Sequence, residues 1–195
     1  MKLYYSPGAC SLADHIALHD ADMKFDLVKV DLKTHKLEDG RSYKDINPKG
    51  SVPALQFDDG EVLTENVAVL SYIADQDPAL TVGGHLGRYR LLEMLAYIAS
   101  ELHKAFHPLF DPKATEAEKK QAGETLEDKL KFVATKFAGP YLFGPNVTVA
   151  DDYLFVMLMW AAKNKLAVPD ALAAFSERMR TRPTVHIALK HEGLI

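Results

Sequence analysis

The sequence predicts an α+β fold in two parts, a first half in the order β-α-β-α-β-β-α and an all-α helical bundle after it. Three observations predict it. Lys2–Tyr5 reads as a short strand and Phe25–Leu32 has a two-residue period, Asp58-Asp59-Gly60 is a hairpin signal, and beyond residue 87 the apolar residues recur at helical intervals. The expected domains are residues 1–77 and 87–195, joined by a linker at 78–86.

Lys2 to Tyr5 form the first strand, and Ser6-Pro7-Gly8 ends it, because proline has no N–H to donate and glycine accepts left-handed backbone. Leu12, Ile16 and Leu18-His19 fit the helix that follows. Phe25 to Leu32 is the second strand. The predicted order places its second helix in the polar, weakly patterned stretch from Lys33 onward, before the Asn47-Pro48-Lys49-Gly50 turn. Val52-Pro53-Ala54-Leu55-Gln56-Phe57 then opens a strand in which the proline cannot join a central ladder. The Asp-Gly turn pairs this strand with Glu61–Leu63, since such a pair tolerates positive φ. Thr64 precedes a helix opening near Glu65, with Val67, Leu70, Tyr72 and Ile73 at helical spacing. Pro78, Gly83, Gly84 and Gly87 mark the linker.

In the second half, Leu91, Leu95, Ile98, Leu102 and Phe106 form one stripe, which predicts a single long helix. Thr115 with Glu118, and Thr148 with Asp151, have the spacing of capping boxes and start two more. The first buries Leu126, Leu130, Val133 and Phe137. The second, apolar on every side from Tyr153 to Trp160, belongs at the centre of the bundle, although Asp152 stands where an apolar staple partner for Val147 is expected. Pro169-Asp170 and Arg182-Pro183 open two short helices.

Composition narrows the function classes. With 23 Lys plus Arg against 27 Asp plus Glu, the net charge of -4 offers no basic surface for nucleic acid or anionic lipid. The longest apolar run, Tyr153 to Ala162, is half of the roughly 20 residues that a membrane span needs. Ser6, Pro7, Gly8 and Asp14 interrupt any secretory apolar segment, so a cytoplasmic location is expected. The lone Cys10 excludes an internal disulfide, a C-x-x-C pair and a cysteine-rich zinc site.

Cys10 lies where a Pro-Gly loop becomes a helix N-terminus, so backbone donors point at its sulfur. An ordinary thiol of pKa about 8.5 is only about 3% ionised at pH 7, and half ionisation needs roughly 2 kcal/mol. A helix terminus supplies about 0.3 to 1 kcal/mol, so a second donor or a cation must supply the rest. The plainer alternative is a buried small hydrophobe. Val52-Pro53 is a place for a cis bond that turns an open backbone edge toward an extended ligand, against an ordinary trans strand start. Glu65 and Asn66, at a helix start, unite an anion-binding terminus with a carboxylate for an ammonium, which suits an α-amino acid end; a simple capping acid is the alternative. In Ser100-Glu101-Leu102-His103-Lys104, His103 lies off the apolar stripe, on a flank shared with Ser100 and His107. Neither His103 with His107 nor His15 with His19 carries a third ligand, so no metal is expected and His15 and His19 read as surface residues.

Together, Tyr4-Tyr5-Ser6-Pro7-Gly8-Ala9-Cys10-Ser11, Asn47-Pro48-Lys49-Gly50-Ser51-Val52-Pro53, Thr64-Glu65-Asn66 and Ser100-Glu101-Leu102-His103-Lys104 resemble the bacterial beta-class glutathione transferases over essentially the whole chain. The resemblance implies a thioredoxin-like first domain, an all-helical second one, a homodimer, and glutathione as cosubstrate without a metal. By the same resemblance Pro53 would be cis and Val52 would pair with the cysteinyl unit. Glu65 and Asn66 would hold the γ-glutamyl end, and Cys10 would lie beside the glutathione sulfur. Ser100, His103 and Lys104 would approach from the helical half, with His103 and Lys104 stabilising the thiolate. Cys10 and His103 are thus the expected catalytic pair. His35 stands where relatives carry a lysine toward the glycyl carboxylate, and Asn66 where a small residue is common. The expected activity is conjugation of glutathione to small hydrophobic electrophiles, a detoxifying reaction, with thiol-disulfide exchange or peroxide reduction beside it. The competing expectation is a non-catalytic transferase-fold module like the stringent-starvation regulators that bind RNA polymerase.

Overall fold

A computed structural model describes residues 1–195. Its five strands, β1 (Lys2–Tyr5), β2 (Asp26–Asp31), β3 (Lys36–Leu37), β4 (Ala54–Gln56) and β5 (Val62–Thr64), form one mixed sheet in the order β3-β2-β1-β4-β5. β1 lies parallel to β2, with Leu3 opposite Leu27, and antiparallel to β4, with Leu3 opposite Leu55. The Asp-Gly hairpin joins β4 to β5 as expected. β1 is central and buried on both faces: Leu3 and Tyr5 enter the main core, while Tyr4 packs on the far side with Val30, Leu37, Tyr43, Val52 and Ala54.

One element differs from the predicted order. Between β2 and β4 the chain makes the short β3 and a 3-10 turn at Tyr43–Asp45 in place of an α-helix. The segment has positive φ at His35 (52°) and Gly40 (85°), which a helix cannot hold, and only Leu37, Tyr43 and Ile46 as apolar anchors. Tyr43 is fully buried and donates its hydroxyl to the Ser51 carbonyl at 2.8 Å, so its ring packs on that face of the sheet with Val52 and Ile46.

Eight α-helices follow the chain: α1 (Leu12–Asp20), α2 (Asn66–Gln76), α3 (Gly87–Tyr97), α4 (His107–Phe110), α5 (Glu116–Ala134), α6 (Val149–Lys163), α7 (Asp170–Arg180) and α8 (Pro183–His191). The long helix expected through Phe106 is interrupted, because Ile98–His103 winds as a π-helix between α3 and α4. Ile98, Leu102 and Phe106 are spaced by two successive steps of four, which overshoot a 3.6-residue turn; the wider turn keeps all three buried.

α1 is buried from Leu12 to Leu18, packed between α2, α6 and α8. His15 is therefore fully buried and His19 partly so, which corrects their expected surface placement: helices from the far end of the chain cover the flank that faces away from the sheet. Burial, with His15 and His191 beside it, pushes His19 down to about 4. α6 is the expected central helix, and one apolar core runs from β1 and α1 through α6 to α7 and α8.

Asp151 and Asp152 begin α6 in a buried setting. Asp151 accepts hydrogen bonds from the N–H and hydroxyl of Thr148 and from the N–H of Leu142, all at 2.8 Å. Asp152 holds no staple contact; it lies 3.5 Å from Arg182, whose other nitrogen donates to Asp20 at 2.8 Å, so one guanidinium joins α1, α6 and the start of α8. Removing Asp151 strands two buried N–H groups, each costing about 1–3 kcal/mol. Asp151→Ala is expected to cost about 3 kcal/mol in urea unfolding, against about 1 kcal/mol for Thr115→Ala at the exposed cap of α5.

Candidate active site

Eight of the nine residues expected around the tripeptide border one cleft of about 320 Å³: Cys10, Val52, Pro53, Glu65, Asn66, Ser100, His103 and Lys104. Ser51, Val67, Ala99 and Tyr153 complete its walls. The exception is His35. Its ring lies against Gly50, with Nδ1 3.1 Å from the Gly50 carbonyl, so it supports the 47–51 loop from behind. Gly50 has a φ of 71°, and a Cβ there would meet that ring at 2.9 Å.

The loop before α1 places Cys10. Gly8 has a φ of 68°; its N–H donates to Glu192 Oε2 at 2.8 Å and its carbonyl accepts from Trp160 Nε1 at 2.8 Å. Val52 precedes the cis Val52-Pro53 bond, and its carbonyl accepts the Cys10 thiol at 3.2 Å. This reverses the expected electrostatics. Burial, then the Asp14 carboxylate, push the Cys10 thiol up to about 12, and the backbone N–H groups of Cys10 and Ser11 pull it down too weakly to compensate. In the free protein Cys10 is a thiol that donates, not a thiolate that accepts.

Glu65 and Asn66 divide their work. Glu65, with a φ of 78°, holds its carboxylate in solvent beside the first turn of α2 and pairs with Lys49, which also donates to Thr64 Oγ1 at 2.7 Å. Asn66 turns its amide inward, donating to the Cys10 carbonyl at 2.9 Å and to Asp14 Oδ2 at 3.2 Å. Asp14 is fully buried, and the loss of water holds its carboxyl well above the usual carboxylate range. Asn66 thereby ties α2 to α1 directly behind Cys10 and leaves its carbonyl oxygen and main chain for a ligand.

The π-helix carries Ser100 and His103 and leads into Lys104. His103 Nδ1 lies 2.7 Å from the Tyr153 hydroxyl, and its ring meets Trp160 edge-on at 5.0 Å. Burial pushes Tyr153 upward, so its hydroxyl keeps its proton and shares one hydrogen bond with the His103 ring. Burial also lowers His103. It brings a neutral ring to the cleft, and Lys104 is the cation of this wall. His107 is exposed and stands apart from this arrangement.

A second cavity of about 610 Å³ adjoins the first across Cys10, Ser51, Val52 and His103. Leu32, Phe110, Met159, Trp160 and Leu194 give it apolar walls, with Lys163 at the side. Phe106 is fully buried behind the Phe110 and Trp160 rings. Tyr153 and Glu192 escape a sequence reading because each acts through contacts distant in the chain; Tyr153 meets His103 across 50 residues and Glu192 reaches Gly8 across 184.

Two family models match the chain: the glutathione S-transferase N-terminal domain over residues 9–76 and the C-terminal domain over 97–183. The chain is 46% identical to glutathione S-transferase GstA of Escherichia coli O157:H7, with both chains covered in full. It superposes with a TM-score of 0.94 and 47% identity on the bacterial beta-class glutathione S-transferase of Sphingomonas chungbukensis, again over the whole of both. A sphingomonad glutathione S-transferase complexed with glutathione matches with a TM-score of 0.92 and 46% identity over both full chains.

The raised thiol has a direct readout. In ligand-free protein, alkylation of Cys10 by iodoacetamide is expected to be slow at pH 7–9 and to climb only as pH approaches about 12, whereas the urea-unfolded chain reacts near pH 8.5. Because the folded value lies above the unfolded one, the thiol's share of stability is present at neutral pH and is lost as pH rises from about 8.5 toward 12. Fast alkylation at pH 7 would overturn the assignment.

Proposed function

The chain belongs to the glutathione S-transferase family, as a transferase of its bacterial beta class, and from that premise we propose that its cleft seats glutathione with the sulfur beside Cys10 and joins that sulfur to small hydrophobic electrophiles. The observation that carries this reading is the convergence of Cys10, Val52, Glu65, Ser100 and His103 on one cleft that opens into an apolar cavity. The N–H and carbonyl of Val52 pair with the cysteinyl unit, and Glu65 exchanges part of its contact with Lys49 for the γ-glutamyl ammonium. The start of α2 takes the adjoining carboxylate. Asn66 contributes through its carbonyl oxygen and main chain, and His35 acts from behind the loop.

Once the ligand's N–H occupies the Val52 carbonyl, the Cys10 S–H is released from that acceptor and turns to the glutathione sulfur. The glutathione thiol gives its proton to solvent. Its thiolate is then held by the Cys10 S–H, a His103 ring N–H and the first amides of α1, with Lys104 supplying positive charge. The thiolate attacks the electrophilic carbon in the apolar cavity, the carbon-sulfur bond forms, and the leaving group departs to water. Thiol-disulfide exchange stands beside this chemistry: Cys10 attacks glutathione disulfide, keeps one glutathione as a mixed disulfide and releases the other as a thiol. The burial that keeps Cys10 protonated makes exchange, and peroxide reduction with it, the slower activities.

Identity of 46% over complete chains to named transferases, together with an intact cleft, favours the enzyme over the polymerase-binding scaffold. The proposed division is residues 1–77 for the glutathione side and 87–195 for the electrophile side, with 78–86 between. Exposed Leu86, Tyr89 and Leu92, at and just before the first turns of α3, support a homodimer. No helix is long and apolar enough to cross a membrane, which supports a cytoplasmic site of action, where glutathione is at hand.

Wild-type protein is expected to be retained on immobilised glutathione. Glu65→Ala should weaken retention and raise KM for glutathione about tenfold to a hundredfold, the loss of a hydrogen bond to a charged group. His103→Ala removes one donor to the thiolate and should lower kcat by a similar factor. Cys10→Ala should abolish the glutathione adduct seen by intact mass in the absence of reductant while keeping measurable conjugation. A wild-type protein that is not retained, forms no adduct and turns over no electrophile would reject the proposal.

A further inference from the structure

On the flank of α1 away from the glutathione cleft, His15 and His19 face His191 at the end of α8, and the ligating nitrogens of the three lie within 4.8 Å of one another. His15 and His19 share a helix face because they are four residues apart. The His15 ring is fully buried, with Nδ1 3.0 Å from Glu192 Oε1. A carboxylate oxygen accepts only, so Nδ1 carries a proton, and the neutral ring keeps its lone pair on Nε2. That Nε2 is buried without a partner, and so is Nε2 of His19. Unpaired buried nitrogens are rare because they forfeit water without replacement, and two of them in contact with a third imidazole call for an occupant. An imidazole fixed by a carboxylate on its far nitrogen is the arrangement that orients histidine toward a metal ion.

We propose that His15, His19 and His191 bind a divalent transition-metal ion of the zinc type, separate from the glutathione cleft. The chemistry of the donors selects the class: three imidazoles with no thiolate suit zinc, nickel or copper over the oxygen-seeking magnesium and calcium. In a tetrahedral zinc site nitrogens stand about 3.4 Å apart. His15 is fixed, and rotation of the partly buried His19 and the exposed His191 closes the remaining distance. His19 and His191 also border a cleft of about 380 Å³ with Met23, Phe25 and Asp26, which admits the ion and leaves room for water at the fourth position. Lys24 lies on the same rim. Because Glu192 holds His15 with one oxygen and the Gly8 N–H with the other, the ion would stiffen the loop that carries Cys10.

The test is titration of the untagged, metal-free full chain with zinc chloride by calorimetry, and with cobalt(II) by visible absorption. One ion per chain, a rise in Tm with zinc and the bands of tetrahedral cobalt are expected. Each of His19→Ala and His191→Ala should weaken binding by about tenfold or more while glutathione conjugation without metal stays at the wild-type level. The two sites are distinguished by Cys10→Ala, which should bind zinc as the wild type does even where conjugation falls. Failure of the wild type to take up one ion, unchanged binding in the His19→Ala and His191→Ala variants, or loss of binding in Cys10→Ala would each overturn the proposal.

Discussion

Gly8 is held by both of its backbone polar groups, through its N–H to Glu192 and through its carbonyl to the Trp160 indole, and the site depends on that double hold. Both partners come from the helical half, while Gly8 belongs to the loop that delivers Cys10 to the start of α1. The position of the sulfur is therefore set jointly by a strand-loop-helix unit and by residues more than 150 positions away. The shared core makes the same connection in apolar terms, since α1 presents no free face to solvent.

That enclosure also determines what Cys10 can do. Amide dipoles at a helix start favour a thiolate, but they act over a short range and are modest beside the cost of removing a charge from water. With the buried Asp14 carboxyl and Asn66 directly behind it, the sulfur stays protonated. A protonated neighbour suits catalysis on a ligand's sulfur better than on its own. His103, made neutral by burial and held by Tyr153, follows the same logic: neither group carries charge, which is left to Lys104 at the edge.

Much of this was legible in the residues. The Asp-Gly hairpin, the β1-loop-α1 opening, the central position of α6 and the starts of α5, α7 and α8 each follow from local pattern or turn chemistry. Eight side chains of the cleft were nominated by motifs that stay close together in sequence. The failures share a cause. His15 reads as exposed from α1 alone, and Asp152 reads as a misplaced staple because Asp20 and Arg182, which surround it, lie 132 and 30 residues away. The resemblance directs His35 toward a carboxylate, whereas a left-handed backbone and the absence of a Cβ at Gly50 direct its ring under the loop. The π-wound turn left a trace in the repeated four-residue spacing from Ile98 to Phe106, a trace that a stripe of apolar residues also explains.

The all-round burial of α1 has a consequence for biosynthesis. This helix is among the first segments to leave the ribosome, yet the surfaces that cover it, on α6 and α8, are translated more than a hundred residues later. A nascent chain must carry the flank of α1 that meets α6 and α8 uncovered for most of its synthesis, and the loop that carries Cys10 gains its Glu192 hold only after the last helix has emerged.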